Sequence, residues 1–268
     1  MPNQPQAAFI NIVEHNAAAW DEQVLSGGVW SQPVSSELIA AAKLGQWGVH
    51  ITKQALPEHW LPKNIKGKDI LCLAGAGGQQ APVLAAAGAN VTVVDISKQQ
   101  LAQDRYVAAR DGLVLTTIQA DMADLAELAD ASFDYIIHPI SNLYVADLKP
   151  VWRECYRVLR SNGVLMASFY NPIIFVFDKD PALTEKGLLK PKFTLPYSDL
   201  KDLDSAMLEE KRRKQETFIF GHTLADQING QLEAGFLLSG FYEDEHPSPR
   251  FLIERYLATM IATKAIKL

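Results

Sequence analysis

From Lys68 onward, short apolar runs rich in β-branched residues alternate with amphipathic stretches of helical spacing, and this alternation restricts the chain more than any other feature. Continuous apolar runs are what strands look like when both faces of their sheet are covered, so the pattern predicts an α/β fold with a doubly wound, mostly parallel sheet. Strands are expected at 69–74, 90–95, 113–119, 133–138 and 163–170, then at 217–220, 236–242 and 256–265. Helices are expected near 79–87, 98–111, 148–159 and 224–234. Ser161-Asn162-Gly163 reads as the stop of the third of these.

Two regions break the rhythm. Residues 1 to about 60 are helical in spacing, at 7–24 and again at 37–44 behind a Ser36 N-cap, and they hold Trp20, Trp30, Trp47 and Trp60 before Pro57 and Pro62 punctuate the chain. Residues 171–215 carry prolines and mixed charge, and read as an insertion capping the sheet. The basic run at 211–214 is neighboured by acids and reads as a solvated helical face. The division is therefore an N-terminal helical lid over 1–60 and a main domain over 61–268, with the cap at about 171–215.

The chemistry concentrates where the first strand runs into Ala74-Gly75-Ala76-Gly77-Gly78 and then a helix. Small residues let a ligand approach the backbone, and the helix start offers free N–H groups to a carboxylate or phosphate. Asp95 ends the next strand 17 residues after Gly78, a spacing suited to gripping a ribose diol. Together they indicate an adenosine-containing cofactor. A dinucleotide fingerprint would need a third glycine where Gln80 stands, which weakens a nicotinamide reading. Tyr197-x-x-x-Lys201 has the spacing of a short-chain dehydrogenase pair, but it follows Pro196 in the insertion without that family's glycine motif.

The segment resembles the first two motifs of class I S-adenosylmethionine-dependent methyltransferases, and the likeness continues over about 66–266. Gln119-Ala120-Asp121-Met122 is similar to the family's adenine motif, Phe133-Asp134-Tyr135-Ile136-Ile137 to its fourth strand, the tract 154–165 to its helix-turn-strand signature, and Glu233-Ala234-Gly235-Phe236 to its entry into strand six. The tracts 73–82, 138–142 and 221–223 resemble an uncharacterised bacterial subgroup of small-molecule methyltransferase-like proteins. The resemblance implies a Rossmann-like seven-stranded sheet with S-adenosyl-L-methionine as cofactor. Cys72, Ala74 and Ala76 depart from it, standing where most members have an acid and two glycines. That departure keeps open a cofactor-binding protein without transferase activity.

By the same resemblance, backbone around Ala74, Gly75, Ala76, Gly77 and Gly78 would hold the methionine part of the cofactor. Asp95 would accept from the ribose hydroxyls, Ile96 would pack on the adenine, Gln100 would reach the ribose or ring edge, and Asp121 and Met122 would meet the adenine. His138, closing strand four, would stand beside both cofactor and acceptor, with His222 as a second candidate base. Asn142, Tyr144 and Tyr197, with Trp20 and Trp30 from the lid, are the expected acceptor contacts.

Composition removes other classes. The balance of 25 basic and 31 acidic residues, net -6, offers no basic field for a nucleic acid or an anionic membrane. The most apolar window, 163–177, is broken by Ser168, Asn171 and Pro172 and is too short to span a bilayer. No secretory or transit signal is read, which predicts a cytoplasmic protein. No histidine spacing predicts a metal site, and Cys72 and Cys155 are expected as buried thiols. The expected partner is a small-molecule methyl acceptor. The oligomeric state has no signature in the sequence.

Overall fold

The computed structural model describes residues 11–268. Seven strands form one sheet in the order β3-β2-β1-β4-β5-β9-β8. They are β1 (Asp69–Leu73), β2 (Asn90–Asp95), β3 (Thr116–Gln119), β4 (Phe133–His138), β5 (Leu159–Tyr170), β8 (Phe236–Asp244) and β9 (Met260–Lys267), with β6 (Tyr197–Ser198) and β7 (Phe220–Gly221) pairing separately inside the insertion. β1 to β5 pair in parallel, and β9 runs antiparallel between β5 and β8. The order reverses between β1 and β4, the kind of point at which open α/β sheets bind ligands outside their strand ends.

The helices are α1 (Ile12–Leu25), α2 (Ser36–Lys43), α3 (Gln80–Ala86), α4 (Lys98–Asp111), α5 (Lys149–Val158), α6 (Pro181–Glu185), α7 (Asp199–Asp202), α8 (Ser205–Arg213) and α9 (Gly230–Glu233). Each sheet face carries its own core. Trp152 and Cys155 of α5 lie on one face over Leu71, Ile136 and Leu165. On the other, Trp60 and Leu84 pack over Ile70, Val91 and Met166. Trp60 is therefore a core residue of the sheet, and Trp47 packs at the edge of the same cluster.

Several boundaries differ from the sequence reading. Asn11 caps α1 by accepting from Glu14 N–H, and expected helical positions 7–10 lie outside the described residues. The cap of α2 is Ser35 rather than Ser36. β5 begins at Leu159, because Asn162 takes φ 63° and the pairing with β4 shifts register between Phe133 and Tyr135 instead of stopping. The expected strand at 217–220 shrinks to the two residues of β7. The expected helix at 224–234 opens with a wide turn, Ala225–Asn229, before α9. The last strand starts at Met260, four residues later than periodicity suggested, because Leu252–Arg255 forms a short helical turn ahead of it.

Buried polar staples attach the N-terminal segment and the insertion to this frame. Asn16 of α1 donates to the carbonyls of Tyr144 and Phe218 and accepts from Phe218 N–H. Asp21 accepts from Ser97 Oγ and Gln99 N–H at the start of α4. In the insertion, buried Asp199 accepts from the Tyr197 hydroxyl, Lys211 and Ile219 N–H. Such groups are costly to bury unless every lone pair is used, so each knot specifies one docking position.

Candidate functional site

A cavity of about 620 Å³ opens over the carboxyl ends of β1, β2, β4 and β5. Its floor near β1 is Ala74, Gly75 and Ala76, and Asp95, Ile96, Ala120 and Met122 form the wall beyond it. Trp20 and Trp30 enclose it from the N-terminal segment. Trp20 meets the Tyr144 ring edge to face at 5.1 Å. Val34 N–H donates to the Gly78 carbonyl, and Gln79 reaches the carbonyls of Val29 and Gln32. The N-terminal segment is thereby bonded to the glycine loop itself.

The loop is held open from behind. Gly77 N–H donates to Gln100 Oε1 at 2.7 Å and Gly78 N–H to Asp104 Oδ1 at 2.8 Å, while Gln100 donates to Ser31 Oγ. Gly77 and Gly78 therefore face α4, and neither lines the cavity, contrary to expectation. The Gly75 and Ala76 N–H groups have no protein acceptor among the described residues. Two unused donors in a cavity floor suit a carboxylate. Ala74 and Ala76 both adopt positive φ, 49° and 64°, where a Cβ costs on the order of 1 kcal/mol. Ala76→Gly is expected to be neutral or to stabilise by up to about 1 kcal/mol, less the entropy glycine adds to the unfolded chain. Thermal denaturation checks this, and a clear loss of stability would mean that the alanine is not strained.

Asp95 is nearly inaccessible, with one carboxylate oxygen accepting Ser97 N–H at 2.8 Å. Desolvation, with the Asp21 charge adding to it, raises its pKa to about 7. Asp104 is raised to about 7 as well, by desolvation and then by Asp95. A buried carboxylate with lone pairs to spare, on a cavity wall, is suited to accept hydroxyl donors from a ligand.

The other expected residues divide sharply. Ile96, Gln100, Met122, Tyr144, Trp20 and Trp30 line the cavity. Asp121 does not, because its carboxylate turns back to accept Ala123 N–H at 2.9 Å. His138 is wholly buried behind the floor, with Nδ1 on the Leu73 carbonyl and Nε2 on the Asn142 side chain. Burial lowers its pKa, and with both ring nitrogens engaged inside the protein it does not reach the cavity as the base expected from sequence would have to. Asn142 is tied between His138 and Gln227. His222 lies against the carbonyls of Asn142 and Val145, away from the cavity, and burial lowers its pKa too. Tyr197 is taken by Asp199 and is also absent from the wall.

Sequence reasoning missed Tyr170 at the end of β5, Phe175 and Lys179 in the insertion, and Arg250 and Phe251 between β8 and β9, all of which line the cavity. No motif marks them, since they converge only through the fold. Cys72 and Cys155 are buried free thiols with raised pKa, inert in this site. Among the described residues, no group of His, Cys, Asp and Glu is arranged to hold a metal ion, and no helix is long and apolar enough to cross a membrane.

Residues 71–167 match the family model of the methyltransferase domain. The uncharacterized methyltransferase YbaJ of Bacillus subtilis (strain 168) is 46% identical over 96% of this chain and 98% of its own. The S-adenosylmethionine-dependent methyltransferase of Mesorhizobium loti superposes with TM-score 0.59 at 20% identity, over 78% of this chain and 95% of that one. The 1,6-didemethyltoxoflavin-N1-methyltransferase of Burkholderia thailandensis, solved with its substrate and S-adenosylhomocysteine, gives TM-score 0.57 at 14% identity, over 99% of this chain and 93% of that one. At these identities the two solved structures speak for the fold alone.

Proposed function

The chain belongs to the class I S-adenosylmethionine-dependent methyltransferases, and from that premise we propose that it methylates a small molecule at an O, N or carboxylate acceptor inside the cavity between β1 and β5. The observation that carries this reading is what lines the cavity. One cavity holds Asp95 at one end and Tyr170, Lys179 and Phe251 at the other, under a roof bonded to the glycine loop. A largely apolar cavity with a few polar groups, partly roofed by the N-terminal segment, suits a small ligand better than a protein tail or a duplex.

Bound S-adenosyl-L-methionine supplies an electrophilic methyl group on a sulfonium. The residues present fit it: free N–H groups at Gly75 and Ala76 for a carboxylate, Asp95 for a diol, and Ile96 and Met122 as apolar flanks for a purine. Gln100, beside Asp95 in the wall, keeps the loop in place through Gly77. In-line transfer demands orientation before base catalysis. Both candidate histidines lie behind the wall, which His50 does line, and burial raises the pKa of Tyr144 far above its ordinary value. Tyr144 is thus a neutral hydroxyl that positions the acceptor, and Trp20 braces it.

The nicotinamide reading loses its catalytic pair, because the Tyr197 hydroxyl is bonded to Asp199 outside the cavity. Calorimetry with S-adenosylhomocysteine tests the cofactor site. Mass-resolved methylation of small phenols, amines and carboxylic acids tests transfer. Tight binding without any methylated product would favour a cofactor-binding protein instead.

A further inference from the structure

We propose that the cavity end remote from Asp95 is an oxyanion site. There Lys179 and Arg250, beside the Phe251 ring, hold a carboxylate, phosphate or sulfonate of the small-molecule acceptor, and Phe175, Phe251 and Tyr170 cover its apolar body. Calling the occupant the acceptor rests on the methyltransferase reading, whereas the chemistry of the site does not.

Lys179 Nζ stands 4.9 Å from the Phe251 ring centroid and 5.4 Å from that of Phe175. No carboxylate lies within ion-pair distance of it among the described residues, and the acid that most influences it, Asp199, is engaged by Lys211 at 2.5 Å. Arg250 Cζ lies 5.6 Å from the same Phe251 centroid and 5.5 Å from that of Tyr170, whose hydroxyl accepts from Nη2 at 2.6 Å. The acid nearest Arg250 is Glu254, at 3.8 Å. Its buried carboxylate already accepts the N–H groups of Arg250 and Phe251 and the Thr259 hydroxyl. A guanidinium has five N–H donors, so most of this one remains available.

Two cations beside one ring repel each other, and an anion between or before them relieves that repulsion. Among the described residues, the single acid in the wall of the large cavity is Asp95, at the opposite end. Lys179, Arg250 and Phe251 also border a smaller cavity of about 280 Å³, but that one is lined by Asp178 and Glu185 and supplies its own negative charge. Arg250 keeps Glu254 as an ion-pair partner, so the positive charge without an acid beside it in the large cavity is that of Lys179, with the remaining guanidinium donors next to it. In a chain of net charge -6, this is a local reversal of sign assembled from loops about 70 residues apart. Aromatic faces beside the cations complete a slot for a flat organic anion.

Calorimetry on protein saturated with S-adenosylhomocysteine tests the site, using 4-hydroxybenzoate, phenyl phosphate and benzenesulfonate as probes and neutral 4-hydroxybenzamide as control. At least one oxyanion is expected to bind about tenfold or more tightly than the amide, as for one charge-assisted hydrogen bond. Lys179→Met and Arg250→Gln should each weaken that binding about tenfold while leaving the affinity for S-adenosylhomocysteine unchanged. No oxyanion binding more tightly than the amide, unchanged oxyanion binding in both variants, or no oxyanion binding at millimolar concentration overturns the proposal. Failure of wild-type protein to bind S-adenosylhomocysteine counts against the proposed function alone, because the same probes titrated into unloaded protein still read the oxyanion site.

Discussion

Asp95→Ala is expected to weaken S-adenosylhomocysteine binding by about 1.5–3 kcal/mol, roughly one to two orders of magnitude, with the fold intact. The carboxylate is buried at the end of β2 on the cavity wall, where it accepts Ser97 N–H. Removing it leaves ligand hydroxyls without a charged acceptor. Isothermal titration measures the loss, and unchanged affinity would show that Asp95 does not contact the cofactor.

The same residue sets a pH dependence. Its folded pKa of about 7 lies above the ordinary carboxyl value of 3.8, so the folded chain binds this proton more tightly than the unfolded chain does. The stability it contributes is full below about 4 and is lost as pH rises through about 7. Ligand hydroxyls favour the anion, so cofactor affinity should rise over the same interval. Asp104 titrates in this window too. The comparison that isolates Asp95 is therefore Asp95→Asn, in which affinity should depend less on pH and thermal stability should fall less between pH 5 and pH 8. A wild-type affinity that is flat across that range would remove Asp95 as the titrating group.

Gly77→Ala is the second change of large effect. A Cβ at Gly77 would collide with the Gln100 carbonyl oxygen and lie 2.7 Å from the carbonyl carbon, and both atoms are backbone of α4. Neither rotates away, so the loop or the helix must move. The Gly77 N–H bond to Gln100 would break, and through Gln100 the bond to Ser31 would go with it. Overpacking against backbone with loss of a buried hydrogen bond costs about 2–4 kcal/mol. Denaturant titration should show that loss, and calorimetry should show cofactor binding reduced at least as far as in Asp95→Ala. A variant with wild-type stability would mean that the loop accommodates a side chain, and the close approach to α4 would then be no constraint. Gly77 and Gly78 thus pack the loop on α4, behind the cavity floor.

The parts of the site that could be read in the sequence are those encoded by neighbours along the chain. The strand-loop-helix of β1 and α3, and the acid ending β2, are local patterns, and the cavity floor at Ala74, Gly75 and Ala76 follows from them. The strain at Ala74 and Ala76 was foreseeable in the same way, since alanine stands in a turn that favours glycine. His138 shows where such reasoning stops. Its position at the end of β4 was read correctly, but the direction of its ring is set by the Leu73 carbonyl and by Asn142. Asp121 is similar, since its carboxylate accepts an N–H two residues along the chain and does not line the cavity.

The sequence by itself determined the sheet, the glycine loop and the Asp95 end of the cavity, because apolar periodicity and short-range spacing specify strands, helices and the turns between them. Only the tertiary structure decided the other end. Lys179 and Arg250 lie in irregular segments without a periodic pattern, and nothing near either one in the chain names the other. They meet because the insertion folds around Asp199 and the β8–β9 loop folds around Glu254, each a buried charge that accepts one satisfied arrangement.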